Sequence, residues 1–225
     1  MQNELSAIVY SKKSVEFITV AKEYCKFIES ATEHSQKAFV ALSLKLIPLL
    51  YLKASLLEES LAVDDRLSEE EDFATETFVT EIEYYTIENE IRDILGDFNE
   101  YPEVFESQSA ATNEATLCFI SEDLTDIYQD LTNCLQNYRN GIEEVMADAL
   151  YEVANQFRIY WGQRCVNTMR SLHNALYNSE LSDEISPKKA SIDDEDDLDD
   201  DNEPVKKPNW LSDRFDENTE NPFAI

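Results

Sequence analysis

The sequence has few glycines, histidines, cysteines and basic residues. Its 225 residues include 3 glycines, 2 histidines and 4 cysteines, with 18 Lys and Arg against 48 Asp and Glu. Three glycines are too few for the tight turns of an all-β fold or for a phosphate-binding loop. The net charge of -30 excludes a phosphate-binding surface, and with it direct nucleic-acid binding, as the main function. The 43% of hydrophobic residues is enough for a helical core.

No motif for metal, cofactor or catalysis stands out. Ala31 lies three residues before His34 and Arg170 three before His173, so neither histidine belongs to the Glu-x-x-His pattern of di-metal bundles. The four cysteines lie far apart, which predicts reduced, buried thiols. No nucleophile elbow or glycine-rich loop is found, and carboxylates at this density favour a solvated face. We expect no metal and no cofactor, and the absence of catalytic motifs favours a non-enzymatic protein over an enzyme.

The sequence predicts a cytoplasmic protein that does not contact a membrane. The segment MQNELSAIVY lacks the basic region, apolar run and cleavage site of a secretory signal. Ala38–Leu57 is the one candidate span, with 15 apolar residues in 20. Lys45 and Lys53 favour a buried core helix over a membrane span, because a lysine inside a bilayer is costly.

Five segments have the apolar spacing of core-facing helices, which predicts an all-α, single-domain bundle. Ser11 or Ser14 is the expected N-cap of the first helix. The second is apolar on most of its circumference and is the best candidate for the central element, with a kink expected at Pro48. A strand over Leu42–Leu46 is the alternative there. The predicted helices are Lys12–Ser30, Ser35–Leu61, Glu69–Leu95, Asn113–Asn140 and Ile142–Asn178.

Local signals mark the boundaries of the third helix. Ser68 and Glu71 have the spacing of a capping box at its start, and Gly96 stands where its end is expected. A loop should follow through Tyr101 and Pro102, because a proline disfavours helix at the preceding residue.

The negative charge is concentrated in the middle of the chain and at its end. Net charges are +2 for residues 1–57, -21 for 58–130, -1 for 131–180 and -10 for 181–225. We therefore divide the chain into a helical domain, 1–180, and a disordered acidic tail, 181–225. Large apolar side chains near the end of this tail are expected to dock on a partner or back on the domain; they are Trp210, Leu211, Phe215 and Phe223.

The last helix carries the most unusual local stretch, a polar stripe beside its apolar seam. We interpret it as a candidate ligand pocket or partner face. The alternative is a helix surface whose arginines pair with the acidic third and fourth helices. Gly162 is expected to let a neighbouring helix approach closely. The candidate residues are Trp161, Gln163, Arg164, Arg170 and His173.

Two stretches carry a family resemblance. VYSKKSVEFITVAKEYCKFIE (Val9–Glu29) and YWGQRCVNTMRSLH (Tyr160–His173) resemble a bacterial, Bacteroides-like family known only as domain of unknown function 5063. The resemblance covers about residues 9–178 and leaves the tail outside. It implies a small cytoplasmic helical protein and brings no activity, cofactor or catalytic residue.

The charge pattern favours a non-catalytic protein-interaction module whose partner has a basic surface. A strong negative field steers a basic partner and repels acidic ones. The alternative is a small-ligand binder or enzyme with a pocket on the last helix. A third possibility is a nucleic-acid mimic that occupies a basic protein's groove, for which steep salt dependence would be diagnostic.

Overall fold

The computed structural model describes residues 2–61, 75–104 and 115–185, and helices dominate these segments. The predicted all-α fold class is confirmed, with a small antiparallel hairpin as an addition. In chain order the elements are α1 (Gln2–Val9), α2 (Lys12–Glu29), α3 (Gln36–Leu61), α4 (Glu81–Leu95), β1 (Glu100–Val104), β2 (Ala115–Phe119), α5 (Ile120–Arg139), α6 (Glu143–Gln156) and α7 (Gly162–Asn178).

The first two predicted helices are present as α2 and α3. Ser11 is the N-cap of α2, where its hydroxyl accepts a hydrogen bond from the Ser14 amide at 3.1 Å. The strand alternative over Leu42–Leu46 is wrong, because α3 runs without a break from Gln36 to Leu61 and contains Pro48. Helix α1 was not predicted from the sequence.

The central helix is α5, and the prediction that the second helix holds this place is wrong. Helix α5 packs against α2, α4, α6 and α7 and buries 13 of its 20 residues. Helix α3 buries 8 of 26 and leaves Leu42, Leu49 and Leu52 exposed to solvent. The apolar character of a helix therefore did not identify the central one, because α5 buries polar residues together with their hydrogen-bond partners.

Helix α4 begins later than predicted. A capping box joins Thr80 to Glu83, while residues 75–80 are not helical and Ser68 lies outside the described residues. The Asn137 side chain exchanges hydrogen bonds with the backbone of Glu76 at 3.0 and 2.9 Å, and the Asn133 Oδ1 accepts one from the Phe78 amide at 2.8 Å. The side chains of Asn133 and Asn137 thus bind residues 76–78 in a non-helical conformation, so α4 begins only at Glu81. Its predicted end, at Gly96, is confirmed.

A hairpin replaces the predicted loop at Tyr101 and Pro102. The predicted start of the fourth helix, Asn113, lies outside the described residues, and α5 begins at Ile120, after a strand over Ala115–Phe119. Strand β1 pairs with β2 so that Tyr101 lies opposite Cys118 and Pro102 opposite Leu117. Buried Asn99 joins the hairpin to α5: its backbone carbonyl accepts from the Ile120 amide and its Oδ1 from the Ser121 amide, both at 2.8 Å. The start of α5 is thus capped from outside the helix.

The last predicted helix is present as α6 and α7, which a π-helical turn over Phe157–Trp161 joins. Gly162 ends this turn. A Cβ atom there would lie 2.5 Å from the Phe157 carbonyl oxygen and 3.0 Å from two carbons of its ring. The atoms nearest to such a Cβ belong to the preceding turn of its own helix, so this crowding already explains the glycine without a neighbouring helix.

One described helix, α3, has the length and composition of a membrane span, with 33% of its most apolar window buried. A core helix of a soluble protein meets the same criteria, so this observation alone is weak evidence for a membrane.

All four cysteines are free thiols. Cys25, Cys134 and Cys165 are buried as expected, and Cys118 is half-buried.

The predicted tail lies almost wholly outside the described residues, which end at Ile185. Its first residues contact the start of α3: the Ser182 carbonyl accepts from the Lys37 amide, and Asp183 pairs with the Lys37 ammonium, both at 3.0 Å. Its candidate docking residues, Trp210, Leu211, Phe215 and Phe223, lie beyond the described part.

We predict that Gly162→Ala lowers the free energy of unfolding by roughly 1–3 kcal/mol, because the added methyl overpacks the turn at Phe157. In an ordinary helix interior a glycine-to-alanine substitution stabilises the protein by about 1 kcal/mol, so a loss of stability would distinguish the crowded turn from an ordinary helix. Urea unfolding of both proteins measures it, with Val166→Ala as an exposed control on the same helix. Unchanged or increased stability of Gly162→Ala would contradict the prediction.

Candidate functional site

Three aspartates form a row along one side of α5, and Asp123 is buried while Asp126 and Asp130 are half-buried. Asp123, Asp126 and Asp130 are spaced three and four residues apart, so they follow one another along the helix. We call them the α5 carboxylate row. Because buried charges are costly unless they are paired, the partners of each aspartate decide what the row can do.

Asp123 is the most buried member and joins the hairpin to α7. The Tyr101 hydroxyl of β1 donates to its Oδ2, and the Arg164 Nη1 lies 3.3 Å from its Oδ1. The same Arg164 nitrogen lies 3.4 Å from Oε2 of Glu103. Burial raises the pKa of the Asp123 carboxyl to about 7, although Tyr101 and Arg164 each act to lower it.

Asp126 accepts hydrogen bonds from two tyrosines. The Tyr84 hydroxyl of α4 donates to its Oδ1 at 2.6 Å, and the Tyr160 hydroxyl of the π-helical turn donates to its Oδ2. Burial, and then the hydrogen bond to Asp126, raise the pKa of both phenols, so they remain donors across the physiological range. Asp126 therefore holds α4 and the π-helical turn against α5.

Asp130 differs from the other two. Among the described residues none donates a hydrogen bond to its carboxylate. Burial, followed by the negative charges of Asp126 and Glu152, raises its pKa to about 7. Asp130 therefore exchanges a proton near neutral pH, and nothing in its described surroundings stabilises the ionised form.

The residues predicted on the last helix are not brought together at one place. Trp161 is fully buried, and its indole N–H donates to the Val153 carbonyl at 3.2 Å. Gln163 is exposed and donates to Asn167 at 2.9 Å, while the exposed His173 ring lies 4.6 Å from that of Tyr177.

The two predicted arginines of α7 both reach the hairpin. The Arg164 guanidinium contacts Glu103 and Asp123 and lies over the Tyr160 ring, 5.1 Å from its centroid. Exposed Arg170 donates to the Pro102 carbonyl at 3.2 Å.

A cleft of about 390 Å³ lies between α7 and the start of the hairpin. Arg170 is the one predicted residue that lines it. Tyr101, Ser171 and Asn174 add polar groups, and Asp97 and Glu100 are among its acidic lining residues. Arg170 is the one basic residue among those that line the cleft.

Sequence reasoning missed the α5 carboxylate row, because the 23 acidic residues of 58–130 made no aspartate conspicuous. A signal was available. Asp123 and Asp130 lie on the same side of the predicted helix as Ile120, Ile127 and Cys134, where burial is expected. In the described part of the chain no group of three or more His, Cys, Asp or Glu side chains could hold a metal ion.

Comparisons with known proteins point to one family. Residues 8–178 match the family model described as Domain of unknown function (DUF5063). The crystal structure of protein BF1032 from Bacteroides fragilis, a structural genomics target, is similar to this chain with 34% identity and a TM-score of 0.62. The match covers 77% of this chain and 98% of that one. No curated protein matches.

We predict that Asp130→Asn raises the free energy of unfolding at pH 8 by roughly 1–3 kcal/mol. The pKa of the Asp130 carboxyl is about 7 in the folded protein and about 3.9 in the unfolded chain. This carboxyl therefore destabilises the fold increasingly as the pH rises from the unfolded pKa to the folded one. Most of the gain should therefore be lost at pH 5. Urea unfolding at both pH values tests this, with exposed Asp97→Asn as the control. A loss of stability at pH 8 would refute it.

We predict that Arg164→Met destabilises the fold by roughly 2–3 kcal/mol at pH 8, because Asp123 and Glu103 lose the cation between them. The loss should be smaller at pH 5, where Asp123 binds a proton. Arg170→Met is the matched control, since this exposed arginine makes one hydrogen bond to a carbonyl, and its cost should stay below about 1 kcal/mol. Equal effects of the two substitutions would contradict a special role for Arg164.

Proposed function

Since this chain belongs to the DUF5063 family, whose description names no activity, we propose its function from its own surface: a non-catalytic protein-interaction module whose partner has a basic surface. The observation that carries the proposal is the charge of the exposed side of α4 and its flanks. Residues 75–104 contain nine acidic residues and one basic residue.

The acidic face, as we call it, consists of the exposed carboxylates of Glu76, Glu81, Asp97, Glu100 and Glu122. They lie on α4, on the segments next to it and in the first turn of α5. The basic residue of 75–104, Arg92, is paired with Glu88 at 2.5 Å. An unbalanced negative face raises the association rate of a basic partner by electrostatic steering.

The basic residues at the other end of the described chain do not create an opposite field of similar strength. Five lysines of α2 and α3 pair with carboxylates at distances from 2.8 to 3.9 Å. Four carboxylates therefore offset most of the positive charge of these five lysines locally. The pairs are Lys12 and Lys53 with Glu16, Lys13 with Glu59, Lys26 with Glu23, and Lys37 with Asp183.

Two apolar side chains project from the same side of α4. Ile82 is 80% exposed and Tyr85 is 53% exposed, although the opposite side of the helix is buried through Ile87, Ile91 and Leu95. Exposed aromatic and aliphatic groups among charges are typical of contact surfaces, where they supply affinity while the charges supply orientation. This combination favours a protein partner over a small ion.

We propose the acidic tail as a second docking element and the cytoplasm as the place of action. The tail extends the negative charge of the chain and carries Trp210, Leu211 and Phe215 as apolar anchors. The four free thiols suit a reducing compartment.

A small-ligand binder or enzyme remains the second candidate. The observation that favours it is the cleft of about 390 Å³ beside α7, with Arg170 in its lining. Arg170 is the one residue of the predicted pocket that lines it, which makes this candidate the weaker of the two.

We predict that Glu81→Lys combined with Ile82→Ser weakens partner binding by about tenfold, because it alters both the charge and the apolar contact. The matched control is Glu144→Lys with Ile142→Ser, an equivalent exposed pair at the start of α6. Affinity recovery from native lysate at an ionic strength of about 0.15 M, with protein and small-molecule mass spectrometry, measures the binding. A chain that ends at Ser182 is compared in the same experiment.

A basic protein retained by wild type and control, and reduced by the α4 variant and by truncation, would support the proposal. Equal recovery of the partner by the full chain and by the chain that ends at Ser182 would show that the tail does not contribute to binding. Binding that falls steeply between low and moderate salt would indicate a nucleic-acid mimic instead. A small molecule retained by every version, without a protein, would favour the cleft.

A further inference from the structure

The β-hairpin has two edges with different surroundings. Side chains of α7 contact β1: Arg170 donates to the outward carbonyl of Pro102 at 3.2 Å, and Asn167 donates to the Glu103 side chain. The sheet has two strands, so β2 has β1 on one side and no further strand on the other among the described residues. An uncovered strand edge presents unpaired backbone donors and acceptors.

The register shows which backbone groups face this open edge. Pro102 has no N–H, so its pair with Leu117 cannot be one of the hydrogen-bonded pairs of an antiparallel ladder. The contact of the Pro102 carbonyl with Arg170 agrees, because that carbonyl points away from β2. By the same pairing, the N–H and C=O of Leu117 point away from β1. No described group bonds to them there.

The open edge has the character of a docking strand. Leu117 is 53% exposed, and Pro102, directly opposite on the same face, is exposed too. Tyr101, Glu103 and Cys118 alternate with these residues and occupy the other face of the hairpin. A third strand would therefore meet an apolar outer face, which favours alternate apolar side chains in the added segment.

The charges near the open edge of β2 favour an added segment with positive charge. Glu100, opposite Phe119, and Glu122, just after β2 in the first turn of α5, are both exposed. The arginines that contact the hairpin, Arg164 and Arg170, belong to α7 and bond to residues of β1. A lysine-rich segment is thus favoured at β2 and an acidic one is disfavoured.

We propose that β2 binds an extended, basic segment of a partner protein by strand addition, through the outward N–H and C=O of Leu117. This inference rests on the proposed function, because it specifies how a basic partner would dock. The probe is a peptide in which valine and lysine alternate. Its two controls are the same peptide with N-methyl groups on alternate backbone nitrogens and a peptide in which valine and glutamate alternate.

Leu117→Pro in the full-length chain is the decisive variant. It removes the outward N–H without touching a bond of the hairpin, and Pro102 already occupies the equivalent position across the pair. Leu117→Thr is the matched control, since it loses the leucine side chain and keeps the N–H. Fluorescence anisotropy should show at least about tenfold weaker binding of the valine–lysine peptide to Leu117→Pro, with Leu117→Thr within about threefold of wild type.

Two measurements on the unchanged protein keep the test independent of the folding of the variant. The Leu117 amide should exchange rapidly with solvent in the free protein and become protected when the valine–lysine peptide binds. The N-methylated peptide should not bind. Rapid exchange that persists in the complex, or an amide already protected in the free protein, would overturn the proposal.

The remaining outcomes separate this inference from the proposed function. If the valine–lysine peptide binds wild type and Leu117→Pro equally, strand addition is wrong while binding of basic partners stands. If the valine–glutamate peptide binds as tightly, the basic character of the partner is wrong. If the valine–lysine peptide does not bind, strand addition fails, and the α4 variants decide separately about the basic partner.

Discussion

The ion pair between Asp123 and Arg164 holds together three parts of the chain that are distant in sequence. Asp123 belongs to α5, Arg164 to α7, and the hairpin contributes Tyr101 and Glu103 to the same cluster. Because a charge on a buried helix needs a partner close by, the positions of α7 and the hairpin relative to α5 are coupled. Asp126 extends this principle to α4 and the π-helical turn through its two tyrosine donors.

Much of the helical framework could be predicted because its signals are local. Ser11 caps α2 by hydrogen bonds within one turn, and Gly96, with a φ of 52°, ends α4. The start of α4 could not be predicted in this way. Ser68 with Glu71 and Thr80 with Glu83 have the same spacing, and the choice depends on Asn133 and Asn137 of a helix much later in the chain. The hairpin was missed for a similar reason, since Asn99 and Arg170 position it from outside.

The candidate site, too, was predicted only in part from the sequence. Arg164 and Arg170 were identified from the sequence as part of the unusual polar stretch of the last helix, and both do contact the hairpin. The carboxylate partners of Arg164 were not identified because acidic residues are abundant in this part of the chain, and burial is what distinguishes Asp123 from the many solvated ones. Trp161 was grouped with these arginines and lies in the core, where large side chains usually go.

The π-helical turn has a consequence for how this protein tolerates changes in length. Such a turn holds one residue more than a turn of α-helix does. If the same residues were wound as a regular α-helix, every side chain after the turn would move by about 100° around the axis. Arg164 would then leave Asp123, and Arg170 would leave Pro102. A relative with one residue fewer between α6 and α7 would therefore keep these contacts only if this stretch were a regular α-helix.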